Sequence, residues 1–143
     1  MDEASSDDFQ ARVRSGRALM EAMGNFHVLS WDPQGRRLRA GFTVRPEFCH
    51  TNGTTAQGGF VTAWLDAGMA HAVMHDSEHK LNVASLEIKV SFLQRMGPGP
   101  GTVEARVVRR GRRVAFMEAE LFDANGQMTA RASSTGLMTE LIR

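Results

Sequence analysis

The sequence predicts an α+β domain in which one curved antiparallel sheet wraps around a single long apolar helix. Residues 52–73, near the middle of the chain, contain a helix that is apolar on nearly every side. Four strand-like segments follow it, mostly with tight turns between them, which implies antiparallel pairing. Helices grouped early and strands grouped late are typical of α+β domains. Because a helix that is apolar all round must be covered on most sides, we expect the sheet to curve around it.

The first part of the chain contains one helix and two strands. Residues 1–7 are expected to form a flexible tail, followed by a single domain over residues 8–143. Apolar residues at helical spacing predict a helix after a cap at Asp7 or Asp8. Two strands follow, FHVLSWD and RRLRAGFTV, around the turn-forming sequence DPQG at residues 32–35. Residues 45–57 are expected to be an irregular connection to the central helix.

After the central helix, the apolar pattern changes to a period of two. Ala84, Leu86, Ile88, Val90 and Phe92 alternate with polar residues, which predicts a strand with these five on one face. The sequence GPGPG at residues 97–101 interrupts it, and three more strands are predicted over residues 102–109, 114–122 and 128–137. A single sheet leaves its other face and its edges uncovered, so we expect the chain to dimerise.

The composition excludes several classes of function. The chain has 143 residues, of which 42% are apolar and 23% charged, and this fits one folded domain. A formal net charge of +1 gives no signature of binding to nucleic acid or to an anionic membrane. The single cysteine excludes an internal disulfide, and no apolar run approaches the ~20 residues that span a bilayer. We therefore expect a cytoplasmic protein.

An aspartate in the central helix is the first candidate for chemistry. The neighbours of Asp66 one turn away are Thr62, Ala63, Met69 and Ala70, so no cation within the helix neutralises it. Burying an unpaired carboxylate costs free energy unless hydrogen bonds or water attend it. Asp66 therefore either lies on a narrow exposed strip or bonds a loop amide, or it has a chemical role, and its apolar surroundings favour the chemical role.

The start of the same helix is the second candidate. Gly58 and Gly59 allow a ligand to approach the backbone closely, and the free amides of a helix start attract an oxygen bearing negative charge. Asp66 lies seven residues after Gly59, ~10 Å along the axis, so one small reacting group can hardly touch both. Two antiparallel helices across a two-fold axis would bring Asp66 of one chain near Gly59 of the other. We therefore expect the active site at a dimer interface.

The sequence NGTTAQGGFVTAWLD resembles the signature of hotdog-fold acyl-CoA thioesterases of the phenylacetate-pathway and 4-hydroxybenzoyl-CoA type. In that signature Asn, a short Gly-containing spacer and His or Gln precede Gly-Gly, and an acidic residue follows some seven positions on. The resemblance extends from about residue 25 to the C-terminus, through ASLEIKVSFLQRMGPG, RRGRRVAFMEAEL and DANGQMTARASSTG. It implies a hotdog fold, hydrolysis of an acyl-CoA to a free acid and coenzyme A, and a homodimer within a homotetramer.

The resemblance also implies a role for individual residues. Asp66 would be the catalytic carboxylate, acting as general base on water or as nucleophile through an anhydride. The Gly59 amide, helped by that of Gly58, would polarise the thioester carbonyl. Asn52 would hold that carbonyl or the attacking water, and Ser85 would orient the water.

The motif differs from the most common family form at Gln57 and in the length of the spacer before it. Gln57 stands where many family members have His. The spacer from Asn52 to Gln57 is one residue shorter than the usual form, so His50 or Thr54 could take the role of Asn52.

A thioester is already activated, so a carboxylate, an oxyanion site and a positioned water suffice for its hydrolysis. No Ser-His-Asp triad, metal or separate cofactor is expected, because coenzyme A is part of the substrate. An arginine cluster at a predicted hairpin is the candidate contact for the phosphates of coenzyme A, with a solvated turn as the alternative. Its members are Arg109, Arg110, Arg112 and Arg113.

Three histidines are a competing signal. His71, His75 and His79 have the spacing of metal ligands on a helix, but no Glu follows His71 and His79 is expected beyond the helix end. Imidazoles in a final helical turn also suit the helix dipole without a metal. Asp66 with His71 is similar to the pair of hotdog hydratases, yet these two side chains diverge around the helix by ~140°.

Other interpretations of individual residues and of the function are also open. Cys49 beside His50 suggests a thiol nucleophile, although adjacent residues seldom face each other. Trp64, Met69 and Met74 either line an acyl pocket or pack in the core, and core packing is favoured. A non-catalytic module that binds acyl-CoA as a sensor is the second hypothesis for function, and a pure assembly protein is the third.

Overall fold

The computed structural model describes residues 3–141, which contain two long helices and eight strands. The elements are α1 (Glu3–Ala22), β1 (His27–Asp32), β2 (Arg37–Val44), a 3₁₀ turn (Pro46–Phe48), β3 (Cys49–His50), β4 (Thr55–Ala56), α2 (Gly58–Asp76), β5 (Leu81–Phe92), β6 (Gly99–Arg110), β7 (Val114–Phe122) and β8 (Met128–Glu140). Neither helix in this part of the chain is long and apolar enough to cross a membrane.

Six strands form one antiparallel sheet in the order β1-β2-β6-β7-β8-β5. Helix α2 packs against strands from both halves of this sheet, including β2, β6, β7 and β5. The predicted architecture, an antiparallel sheet wrapped around one long helix, is therefore confirmed. Strand β5 lies at one edge of the sheet and, in the described part of the chain, pairs with β8 alone.

The core lies between α2 and the inner face of the sheet. Trp64 and Met69 are almost fully buried, and the ring of Trp64 stacks on that of Phe42 with 4.4 Å between centroids. The indole Nε1 of Trp64 donates a hydrogen bond to the carbonyl of Met23 at 2.9 Å. Trp64 and Met69 therefore belong to the core, which agrees with the favoured reading of these residues.

Two element boundaries differ from the prediction. Helix α1 begins at Glu3, so residues 3–7 are helical where a flexible tail was expected, and residues 1 and 2 lie outside the described range. Carboxylates in the first turns of a helix interact favourably with its dipole, so Asp7 and Asp8 can continue a helix rather than begin it. Strand β6 begins at Gly99, inside the GPGPG segment that was expected to interrupt the sheet.

The predicted alternation in β5 is wrong for the first half of the strand, because β5 contains a β-bulge. Ser85 pairs with Gly136 of β8 and Glu87 pairs with Thr135, which leaves Leu86 as the extra residue. The helix-facing positions are therefore odd-numbered up to Ser85 and even-numbered from Ile88 onward. Ala84 and Leu86 are exposed rather than aligned with the core-facing residues. A bulge changes the parity of a strand without a signal in the apolar pattern.

An ion-pair cluster fixes the C-terminal end of α2 to two hairpins. The Asp76 carboxylate, 10% exposed, accepts from Arg36 Nε at 2.9 Å, Arg36 Nη2 at 2.6 Å and Arg110 Nε at 3.0 Å. The hydrogen bond from Arg36 is the main cause that holds the pKa of Asp76 below its ordinary value, and Arg110 adds to the effect. Asp76 therefore connects the β1–β2 hairpin, α2 and the β6–β7 hairpin.

We expect Asp76→Asn to destabilise the protein by about 2 kcal/mol at neutral pH, because two guanidinium groups lose their carboxylate. The expected loss of stability is smaller than that usually found when a fully buried ion pair is broken, because both arginines are about a third exposed to solvent. Because the pKa of Asp76 is lowered in the folded protein, the ion pairs contribute their full stability above the ordinary carboxyl pKa of 3.8. This contribution is lost as the pH falls through the lower pKa of the folded state. Urea unfolding should show a difference from wild type that is constant above pH ~5 and shrinks below pH ~4.

The matched control for this prediction is Glu104→Gln. Glu104 meets Arg37 and Arg39 only at 3.8 and 3.6 Å on an exposed face, so its loss should cost less than 1 kcal/mol. An Asp76→Asn variant no less stable than Glu104→Gln would contradict the structural role of the cluster.

Candidate active site

Asp66 lies on a half-buried face of α2, beside strand β5 of the sheet. Thr62, Ala63 and Ala70, its neighbours on that face, are half-buried, as is Asp66 itself. The opposite face packs into the core. Among the described residues no cation pairs with Asp66, either within the helix, where the sequence offered none, or from another element. The carboxylate is therefore held at an accessible position on an otherwise apolar helix face.

Ser85 is the hydrogen-bond partner of this carboxylate. Its Oγ donates to Asp66 Oδ1 at 2.5 Å. Ser85 directly precedes the bulge at Leu86, so the bulge places a serine on the helix side while the next residue turns outward. Bulges often re-aim a side chain beside a functional site. This hydrogen bond holds Oδ1 of Asp66 in place, and Ser85 makes no hydrogen bond with the second carboxylate oxygen, Oδ2.

At the start of α2, Gln57 is the N-cap. Its Oε1 accepts from the Gly59 amide at 2.7 Å, so the amide that was expected to polarise the carbonyl already has a partner. Within the described residues, the Gly58 amide makes no hydrogen bond. The free donor at this helix start is therefore Gly58 rather than Gly59. The sequence contained a signal for this, because an N-cap side chain normally bonds the second or third helical amide.

A groove of about 390 Å³ adjoins the Gly58 backbone, and we call it the Gly58 groove. Its walls include His50, Val61, Phe92, Gln94 and Arg95. A Cβ on Gly58 would lie 3.4 Å from the Phe92 ring, which is an ordinary contact. Phe92 and Arg95 were not among the predicted site residues, since nothing local marks the end of β5 and the segment after it as part of a site. The groove thus has apolar walls, and its lining also includes the Arg95 side chain and the Gly58 backbone.

Asn52, His50 and Thr54, the candidates for holding the thioester carbonyl or the attacking water, occupy different positions in and beside the β3–β4 turn. Asn52 is exposed at the tip of the turn, in the left-handed region with φ 56°. The Thr54 Oγ1 donates to the carbonyl of Thr51 at 2.7 Å, which stabilises the turn itself. Only His50 lines the Gly58 groove. Of the three residues, His50 alone therefore shares the groove with Gly58.

The four arginines of the predicted cluster do not act alike. Arg110 is bound to Asp76, which assigns its guanidinium to the ion-pair cluster. Arg109, Arg112 and Arg113 are exposed at the β6–β7 hairpin. This hairpin lies at the opposite end of α2 from Gly58, ~27 Å along the helix axis. A cavity of about 860 Å³ at that end is lined by Asp76, His79 and Lys80 among others, and it contains neither Asp66 nor Ser85.

The histidines of α2 serve packing rather than a shared ligand site. His71 Nδ1 lies 2.8 Å from the carbonyl of Ala67, and the ring of His75 lies 5.7 Å from that of Trp31. Burial is the main cause that lowers the pKa of His75, and His79 and His71 add to it. Within residues 3–141 no group of three His, Cys, Asp or Glu side chains is placed to hold a metal ion.

Cys49 does not face a base. Its Sγ lies 3.6 Å from the carbonyl of Arg45, and burial raises the pKa of its thiol. The neighbouring His50 instead contacts the Thr51 hydroxyl through Nδ1 at 2.8 Å. A raised pKa makes the thiolate scarcer, which is the opposite of what a nucleophilic cysteine needs.

The geometry divides the candidate site into two halves. One half is Asp66 with Ser85, and the other is the Gly58 amide with its groove. Asp66 lies eight positions after Gly58, ~12 Å along the helix axis, so the two halves of one chain do not converge on one carbonyl. A half-buried helix face and an unpaired edge at β5 adjoin the site.

Comparison with known proteins identifies relatives with the same fold. The thioesterase superfamily model matches residues 53–130, more than half of the chain. A phenylacetic acid degradation-related protein from Ralstonia eutropha is 27% identical with a TM-score of 0.77, over 84% of this chain and 89% of that one. A mutant of the phenylacetic acid degradation protein PaaI from Thermus thermophilus is 25% identical with a TM-score of 0.71, over 84% and 97%.

Two curated relatives from Saccharolobus solfataricus bear names that describe them as esterases. They are 32% and 34% identical over 62% and 58% of this chain. The matches cover 61% and 55% of those relatives, so the chain spans less than two thirds of their length. The family model covers α2 with Gly58 and Asp66, β5 with Ser85 and its bulge, the two following strands β6 and β7, and the start of β8. The hotdog fold expected from the sequence is therefore confirmed, and the chain belongs to the thioesterase superfamily.

Proposed function

We propose that this protein is a thioester hydrolase that converts an acyl-CoA to a free carboxylic acid and coenzyme A. The observation that supports this most strongly is the Asp66 carboxylate, held by Ser85 at 2.5 Å on an accessible helix face and without a cationic partner among residues 3–141. Membership of the thioesterase superfamily and similarity to phenylacetic acid degradation proteins support the same reaction.

The proposed mechanism needs only groups of the protein and water. Water attacks the thioester carbonyl while Asp66 accepts its proton, and the charge that develops on the carbonyl oxygen is stabilised by the Gly58 amide. The C–S bond then breaks, and the thiolate of coenzyme A takes up a proton. In the alternative, Asp66 attacks the carbonyl itself and water hydrolyses the resulting anhydride. Ser85 positions the carboxylate in both routes.

The two halves of the site meet, in this proposal, between two chains. Strand β5 is 12 residues long and has a free edge, so the β5 strands of two chains can pair and extend the sheet. The same dimer would cover the half-buried face of α2 that includes Ala63, Asp66 and Ala70. Antiparallel α2 helices would then place Asp66 of one chain near Gly58 of the other.

We infer that the Gly58 groove takes the arm of coenzyme A. The groove is lined by Gly58, the proposed oxyanion donor, by apolar side chains, and by Arg95, which can bind a phosphate. Arg109, Arg112 and Arg113 are the second candidate for phosphate contacts, because they stay exposed at the far hairpin. A raised KM with unchanged kcat in Arg95→Ala, and not in Arg112→Ala, would check this placement.

A panel of aromatic and aliphatic acyl-CoA thioesters tests the proposed reaction. We expect stoichiometric release of coenzyme A, detected with a thiol-reactive dye, and of the free acid, detected by chromatography. Hydrolysis should not depend on an added metal. The corresponding oxygen esters serve as the control for thioester preference, because an alkoxide is a poorer leaving group than a thiolate.

A sensor that binds acyl-CoA without turnover is the second candidate. Titration calorimetry with the same panel separates it from the enzyme. Saturable binding without thiol release, unchanged when Asp66 is replaced by Asn, would support the sensor and overturn the hydrolase.

A further inference from the structure

The proposed hydrolysis leaves one proton without a donor. When the C–S bond breaks, the sulfur of coenzyme A departs as a thiolate, and it must be protonated to give the free thiol. Asp66 serves the opposite step, because it accepts a proton from the attacking water. A general acid on the leaving-group side of the carbonyl would therefore complete the set of groups that the reaction uses.

The Gly58 groove contains a side chain that can supply this proton. With the carbonyl oxygen at the Gly58 amide and the arm of coenzyme A in the groove, the sulfur lies in the groove as well. Among the described residues that line it, His50 and Arg95 are the ionisable ones. A guanidinium keeps its proton in proteins, whereas histidine exchanges a proton near neutral pH. His50 is therefore the candidate donor.

Backbone hydrogen bonds hold His50 against the segment that leads into α2. His50 pairs with Thr55 in the short β3–β4 ladder, and its carbonyl accepts from the Thr54 amide at 3.1 Å. The next residue, Ala56, donates from its amide to the carbonyl of Met96 at 2.8 Å, and both of these residues also line the groove. The position of His50 in the groove is thus fixed by the backbone.

A hydrogen bond also sets the orientation of the His50 ring. Its Nδ1 lies 2.8 Å from the hydroxyl oxygen of Thr51, whereas Nε2 makes no hydrogen bond within residues 3–141. When Nδ1–H donates to Thr51, Nε2 is the nitrogen that carries the exchangeable proton of the imidazolium. Loss of this proton keeps the bond to Thr51, so the ring holds one orientation in both protonation states.

Thr51 makes this contact from an unfavourable backbone conformation. Its φ is 55°, in the left-handed region, where a β-branched residue is an outlier. The next two residues, Asn52 and Gly53, have φ values of 56° and 75°, but Asn and Gly adopt this conformation far more readily. Strained residues of this kind cluster at functional sites. A threonine at this position therefore indicates a use for its hydroxyl.

We propose that His50 is the general acid of the reaction and gives its Nε2 proton to the sulfur of coenzyme A as the C–S bond breaks. This inference rests on the proposed function. Water adds to the carbonyl carbon and loses one proton to Asp66. The tetrahedral intermediate then collapses to the carboxylic acid, the C–S electron pair moves to sulfur, and an S–H bond forms with the proton of His50.

Solvent completes the proton balance. Asp66 releases its proton to water, and the neutral imidazole of His50 takes one up, so each cycle consumes one water and no other reagent. The His50 side chain is exposed, which allows this exchange. When Asp66 instead attacks the carbonyl directly, the same C–S bond breaks, and His50 protonates the sulfur in the same way.

A comparison of leaving groups tests the proposal. Three thioesters of one acyl group are used: the acyl-CoA, the N-acetylcysteamine thioester and the 4-nitrothiophenyl thioester. The first two release a basic alkyl thiolate, whereas the third releases a stabilised thiolate that needs no proton. We expect His50→Gln to lower kcat by about 10²-fold on both alkyl thioesters, and to stay within a factor of about 3 of wild type on the aryl thioester.

Two variants serve as controls for this pattern. His27→Gln makes the same change at an exposed histidine on β1, at the opposite edge of the sheet from β5, and should keep wild-type kcat on all three substrates. Gly58→Pro removes the proposed oxyanion donor, which every thioester needs, so it should lower kcat on all three alike. The N-acetylcysteamine thioester lacks the nucleotide, so it separates proton transfer from contacts with the rest of coenzyme A.

Thr51→Gly tests the support of the ring by a second route. Glycine adopts the left-handed conformation without strain, so the thermal midpoint should be no lower than that of wild type. Loss of the hydroxyl should nevertheless lower kcat on the alkyl thioesters more than on the aryl thioester. Wild-type kcat for the acyl-CoA in Thr51→Gly would overturn the role given to the hydroxyl.

Two results for a His50→Gln protein that is folded by circular dichroism would overturn the general acid. One is wild-type kcat for the acyl-CoA, and the other is an equal loss on the alkyl and aryl thioesters. Failure of the proposed function gives a different result, because the wild-type protein itself would then release no thiol from any of the three thioesters. That result would overturn the general acid together with the hydrolase.

Discussion

Replacing Asp66 with Asn should lower kcat for acyl-CoA hydrolysis by about 10³-fold, the typical contribution of a general base. Asn has nearly the same shape, and its side-chain oxygen can still accept the Ser85 hydroxyl that lies 2.5 Å from Asp66 Oδ1. What it loses is the ability to take a proton from water or to attack a carbonyl. The fold and the oligomeric state should therefore be unchanged. Steady-state thiol release measures the effect.

Two controls separate this effect from a general loss of charge. Glu78→Gln makes the same change beyond the end of α2, at a side chain that is 85% exposed, and should keep wild-type turnover. Ser85→Ala keeps the carboxylate but removes its partner, so it should lower kcat by a smaller factor than Asp66→Asn. Wild-type kcat in a folded Asp66→Asn protein would remove Asp66 from the reaction.

Replacing Gly58 with Pro should lower kcat by about 10² to 10³-fold, the typical effect of removing one oxyanion donor. Gly58 is the first residue of α2, where proline is well tolerated because that N–H has no helical partner. Gln57, at φ −65° and ψ 140°, already has the extended conformation that a residue before proline requires. The substitution thus removes one amide proton with little change to the helix.

Gly58→Ala is the matched control, because it adds a Cβ in ordinary contact with Phe92 but keeps the amide proton. We expect it to retain most of the wild-type kcat. Equal losses in the Ala and Pro variants would indicate that the site lacks space at this position, and would contradict the role of the amide.

The sequence predicted the fold well because periodicity and turn residues are local signals. The apolar helix and the strands that follow it were recognised from the spacing of their apolar residues and from the turn-forming residues between them. The tight turns implied that neighbouring strands are antiparallel. What the pattern could not predict was the bulge at Leu86. Alternation predicts two faces, whereas a bulge depends on how two strands register in three dimensions.

The candidate site was predicted in part. Asp66, Gln57 and Ser85 were identified from the apolar helix and the resemblance to thioesterases, and the structure brings Ser85 and Asp66 together. The expected donor Gly59 is instead capped by Gln57, which leaves Gly58 free. Arg95 was missed because its position beside Gly58 depends on the tertiary contact between the segment after β5 and the start of α2.

In the proposed dimer, Asp66 of one chain and the Gly58 amide of another complete a single active site. Mixing Asp66→Asn subunits with Gly58→Pro subunits tests it most directly. Each variant alone is nearly inactive, but a mixed dimer has one site in which both groups are wild type. With random pairing at equal amounts, we predict recovery of about one quarter of the wild-type turnover per subunit. Turnover no higher than that of the separate variants, in a mixture shown to contain mixed dimers, would contradict the shared site.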